Sequence, residues 1–118
     1  VRYKIALALC CLIYQCNQTQ SAELWKITAY CSCEKCCGKS DGVTASGKPA
    51  QYGFAAGNWI KFGTVVNIKG IGRFTIMDRG AKSLFGSKHN KIKHLDIWLP
   101  THKEAVKFGI KYCDVTIL

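Results

Sequence analysis

Acidic residues are scarce in this chain: seven Asp and Glu stand against seventeen Lys and Arg, a formal charge of +10. Such a balance favours polyanionic partners, whether nucleic acid, anionic lipid or the acidic polymers of a bacterial envelope. Repeats, coiled-coil heptads and low-complexity linkers are absent, which excludes solenoids and tethered arrays. The 118 residues suffice for one domain and not for two. Long apolar runs are also missing. The longest, Ile5 to Tyr14, reaches about half the roughly twenty residues that a membrane-spanning helix needs. A true phosphate-binding loop is lacking too. Gly42-Val-Thr-Ala-Ser-Gly47-Lys48 imitates one, but Pro49 stands where a Ser or Thr would hold magnesium, and no strand precedes it.

The chain starts with a charged segment, Val1-Arg2-Tyr3-Lys4, followed by that apolar run and a polar exit. This layout predicts a secretory signal peptide over residues 1–22, cut near Ser21 or Ala22, and a mature domain over 23–118. Export to a periplasm, outer membrane, cell wall or medium is therefore expected. Removing the two charges of Arg2 and Lys4 from +10 leaves +8. Export makes envelope polymers the expected polyanion, not nucleic acid.

Eight cysteines are encoded, and Cys10, Cys11 and Cys16 fall in the leader. The lipid attachment that Cys16 could carry is disfavoured by the Ile-Tyr-Gln before it. The remaining five are Cys31, Cys33, Cys36, Cys37 and Cys113. An odd number in an exported protein implies a free thiol, an intermolecular bridge or a metal. Cys31-x-Cys33-x-x-Cys36-Cys37 is dense enough for zinc, with His89, His94 or His102 completing the set. An oxidising compartment tilts the expectation to disulfides, with Cys113 as a partner from the last strand. Either arrangement staples the loop, and no cofactor is expected.

Periodicity predicts strands at Lys26–Tyr30, Thr64–Ile68, Arg73–Met77, His94–Leu99 and Ile110–Leu118. Residues Cys31 to Pro49 read as a loop, and Ala81 to Lys93 as a polar connection. One helix is signalled at about 101–109, where Thr101-His-Lys-Glu104 forms a capping box and Gly109 a stop. Many short strands and one short helix suggest a small barrel.

Most of the acidic residues lie in loops, at the expected cut or in the cap, leaving Asp78 and Asp96 on apolar strands. Parity on the 94–99 strand sends Leu95, Ile97 and Leu99 inward and His94, Asp96 and Trp98 outward. A histidine, a carboxyl and an indole on one face would suit a sugar-binding floor, with the carboxyl as proton donor. Ordinary polar residues on an exposed strand face are the plain alternative.

A series of segments resembles the three-aspartate (3D) domain. These are Thr28-Ala-Tyr-Cys-Ser-Cys-Glu-Lys-Cys-Cys-Gly38, Thr44-Ala-Ser-Gly47, Phe62-Gly-Thr64, Gly70-Ile-Gly72, Asp78-Arg-Gly80, His94-Leu-Asp-Ile97 and Glu104-Ala-Val-Lys-Phe-Gly109. The resemblance implies a six-stranded double-psi β-barrel, similar to that of membrane-bound lytic transglycosylases and of expansins. It implies cleavage of the O-glycosyl bonds of peptidoglycan glycan strands by a monomer, with Asp96 as acid then base and Asp78 positioning it. Thr44 and Ser46 would line the groove beside His94 and Trp98. The first aspartate of that pattern falls at Ala56, and Ser83 to Lys93 replaces a tight glycine-rich turn. A non-catalytic, expansin-like glycan-binding module is the alternative. A basic, cysteine-rich zinc protein acting on nucleic acid is a third class.

Overall fold

In the computed structural model, residues 23–118 are described. The expected signal peptide, with Cys10, Cys11 and Cys16, lies outside the described residues. The elements run β1 (Trp25–Tyr30), α1 (Glu34–Cys37), β2 (Phe54–Ala56), β3 (Val65–Ile68) and β4 (Gly72–Asp78), then α2 (Lys82–Phe85), β5 (His94–Trp98), α3 (His102–Phe108), β6 (Lys111–Cys113) and β7 (Val115–Ile117).

Alternation along these strands builds the core. Trp25 and Ile27 of β1, Val66 and Ile68 of β3, and Leu95 and Ile97 of β5 meet Ala55, Ile60 and Ile76 in one buried cluster. Ile27, Val66, Ile68, Ile76 and Leu95 are fully enclosed, each contributing roughly 1.5–3 kcal/mol over an exposed position.

The strands form one mixed sheet in the order β6-β1-β5-β2-β4-β3-β7. β1 runs parallel to β5, and β2 parallel to β4. The other neighbours, β1–β6, β2–β5, β3–β4 and β3–β7, are antiparallel. This corrects the expected six-stranded double-psi β-barrel: seven strands and three helices are described, the sheet is open, and no ladder joins β6 to β7. The chain end supplies the reason. The sequence predicts one strand from Ile110 to Leu118, but Asp114 interrupts it, its carbonyl accepting from the Lys69 amide at 2.9 Å. Lys111–Cys113 therefore pairs with β1, and Val115–Ile117 pairs with β3 at the opposite edge.

The parallel β1–β5 pair sets where the chain leaves the sheet. Tyr30 lies opposite Trp98, and the Leu99 amide extends the ladder onto the Tyr30 carbonyl at 2.8 Å. Parallel strands end on the same side. The cysteine loop leaving β1 and the helix after β5 therefore emerge side by side. Thr101 opens that helix, its side chain accepting the Glu104 amide at 3.2 Å.

Candidate metal centre

Three of the loop cysteines and one histidine converge where β1 and β5 end. The ligand atoms of Cys31, Cys33, Cys36 and His102 all lie within 4.8 Å of one another. Cys31 Sγ is 3.6 Å from Cys36 Sγ. His102 Nδ1 lies 3.4 Å from both Cys33 Sγ and Cys36 Sγ, and 3.9 Å from Cys31 Sγ. A tetrahedral Zn²⁺ with bonds of about 2.3 Å to sulfur and about 2.0 Å to nitrogen separates its ligands by about 3.5–3.8 Å. The measured separations bracket that range.

Local sequence makes this convergence. Cys33 occupies the N-cap of α1, and its carbonyl accepts from the Cys36 and Cys37 amides at 3.2 and 3.0 Å. That single turn swings Cys36 back toward Cys31. Gly38 ends it with φ 71° and returns its amide to the Glu34 carbonyl at 2.7 Å. A side chain there would strain this left-handed geometry. Cys37, one residue on, points elsewhere and donates its thiol to the Cys31 carbonyl at 3.1 Å. Cys31 is buried and His102 is exposed, so the cluster spans from core to surface.

The thiols are electrostatically unequal. Burial, reinforced by its bond to Cys33, raises Cys31. The hydrogen bond from Cys31 chiefly lowers Cys33. Cys37 is raised by burial and then by the nearby Asp78 carboxylate. Three thiolates and an imidazole make a soft donor set suited to zinc. No disulfide joins the described cysteines, Cys113 included.

The residues expected to cut glycan are engaged differently. Both oxygens of Asp78 accept hydrogen bonds: Tyr30 Oη donates to Oδ2 at 2.7 Å, and the Ala45 and Arg79 amides donate to Oδ1 at 2.8 Å. Asp78 thus fastens the 44–46 loop to the sheet. Asp96 receives the Thr28 hydroxyl at 2.9 Å, and burial raises its pKa to about 6. Ala56 is the register partner of both Asp78 and Asp96, so a methyl group stands where a third carboxyl would complete a triad.

His94 does not face outward. It is 6% exposed, stacked on Phe85 at 4.0 Å, with its ring nitrogens near Thr28 Oγ1 and the Leu84 carbonyl. Burial lowers its pKa. Thr44 is buried, donating to the Lys48 carbonyl at 2.7 Å, and Ser46 Oγ lies 2.8 Å from Thr44 Oγ1. Trp98 gives its Nε1 hydrogen to Ser32 at 2.9 Å and meets Tyr52 edge-on at 5.7 Å. The cavity beside Asp78 has a volume of 10 Å³, about one water molecule.

No protein-family profile matches the chain, and no curated protein matches it either. The resemblance to the three-aspartate domain is therefore corrected, by that result and by the open sheet. The lytic transglycosylase, glycosidase and hydrolase expectation falls with it. In place of an aspartate triad the chain presents a Cys₃His cluster. The sequence pattern offers Cys31, Cys33, Cys36 and Cys37 as zinc ligands and does not distinguish His102 from His89 and His94. The missing signal was the parallel pairing of β1 with β5, which alone brings residue 102 beside residue 31.

Proposed function

We propose that this chain is a zinc-binding domain in which Cys31, Cys33, Cys36 and His102 hold one Zn²⁺ that staples the loop after β1 to the start of α3. The separations among the four donor atoms, 3.4–3.9 Å for the Cys31–Cys36 pair and for His102 with each cysteine, carry the reading. Four protein ligands leave no open coordination position, the pattern of a structural site. The metal would deprotonate the cysteines on binding, and it joins segments more than sixty residues apart in sequence.

Metal content and cobalt spectroscopy test this. The protein purified under reducing conditions should carry one zinc per chain. Replacement by Co²⁺ should give the thiolate charge-transfer and d–d bands of a tetrahedral site. A protein that binds no metal while all four side chains are intact and reduced would overturn the reading.

A further inference from the structure

Away from the cysteine cluster, two adjoining cavities of 530 and 350 Å³ share Asn58, Arg79 and Lys88. Lys61 extends the wall of the first and Lys82 that of the second. Four cations therefore line one cleft, and no acidic side chain lines either part of it. Among the described residues the ion pairs are Lys39–Asp41 and Lys93–Glu23, so none of the four has a carboxylate partner.

The cleft is built rather than incidental. Asn58 ties its two walls together, its Nδ2 donating to the Gly80 and Gly86 carbonyls at 2.9 Å and its Oδ1 accepting the Gly80 amide at 2.8 Å. Arg79 is half-buried and lies 3.8 Å over the Phe62 ring. One of its terminal nitrogens donates to the Gly57 and Asp78 carbonyls at 2.6 and 3.4 Å. Its other two nitrogens have no protein acceptor among the described residues, a fork suited to phosphate oxygens.

We propose that this cleft binds a linear phosphate polyanion, recognised through its phosphate groups. The aromatic rings favour a polymer without bases. Arg79 lies 3.8 Å over the Phe62 ring and the Lys91 ammonium 5.2 Å over the Trp59 ring, which also packs on Trp25 at 5.3 Å. A cation therefore already occupies a face of each ring where a nucleobase would stack, the usual source of single-strand affinity. Phosphodiester polymers of a cell envelope have the required chemistry: regular negative charge and no bases. The cleft is independent of the metal centre, and the proposal stands or falls apart from it.

Titrating the full chain with a glycerol-phosphate polymer, followed by tryptophan fluorescence and calorimetry, tests this. Four phosphate contacts should weaken binding by about 50-fold between 50 and 200 mM salt. Lys88→Gln and Lys82→Gln should each lower affinity roughly five-fold, as should Arg79→Gln if it folds. Lys107→Gln, on α3, should leave affinity unchanged. Absence of binding at low salt would overturn the proposal. So would equal losses in Lys107→Gln and Lys88→Gln, which indicate diffuse charge, or tighter binding of a single-stranded oligonucleotide than of the polymer.

Discussion

Cys36 Sγ and His102 Nδ1 lie 3.4 Å apart although 66 positions separate them in the chain. Two short structures create the contact: a one-turn helix behind Cys33 and a capped helix starting after Thr101. Neither is long enough to be stable alone. The sheet between them holds both in place, and the metal would lock them. Removing one donor should therefore act on affinity and on stability together.

His102→Ala should abolish the tetrahedral cobalt spectrum and lower zinc affinity by at least about 100-fold. At a zinc concentration near 1,000 times the dissociation constant, the metal stabilises the fold by about 4 kcal/mol. Thermal melts of the wild type with and without a chelator should differ by that amount. The same treatment should move His102→Ala by no more than about 1.4 kcal/mol.

Cys37→Ser and Cys113→Ser should keep full metal stoichiometry, because neither sulfur belongs to the cluster. Cys33→Ser should not. Quantitative thiol alkylation with and without zinc, mapped by peptide, checks this: metal should protect Cys31, Cys33 and Cys36 and leave Cys37 and Cys113 reactive. Equal protection of Cys37 and Cys113 would contradict the donor assignment.

Asp96 makes stability fall as pH rises. Its folded pKa is raised from 3.8 to about 6 by burial, so the folded state binds the proton more tightly than the unfolded chain. Its contribution is complete below about pH 4 and is lost as pH rises through 6. Asp96→Asn keeps the shape without the charge. It should stabilise the protein at pH 7.5 by on the order of 2 kcal/mol and give no benefit at pH 4. Urea titrations at the two pH values measure the difference.

Gly86→Ala should be severely destabilising, by about 3 kcal/mol or more. Gly86 has φ 79° and ψ −160°, a region almost closed to other residues. An added methyl would also strike the backbone of Asn90 and Ile92. Because the Gly86 carbonyl anchors Asn58 at 2.9 Å, the variant should lose polymer binding along with stability. Urea melts and the polymer titration together check both.

Much of this molecule was legible locally. The Thr101–Glu104 pattern marked the start of α3, and the alternation in His94–Trp98 identified Leu95 and Ile97 as core. Local patterns misled at His94, whose parity points outward but which Phe85, from the connecting segment, covers. Phe54–Ala56 escaped notice because three residues carry no measurable period. The order of strands was beyond local reading, since β1 finds its partner β5 across more than sixty residues. The choice among His89, His94 and His102 depended on that pairing.

Asp114 has a consequence for how the domain resists self-association. By dividing the final segment, it sends three residues to cover one flank of the sheet and three to cover the other. A single tail thus shields the outer hydrogen-bonding groups of both β1 and β3. Clipping the protein after Ile110 would bare two adhesive borders in one stroke, inviting fibrils rather than a merely looser monomer.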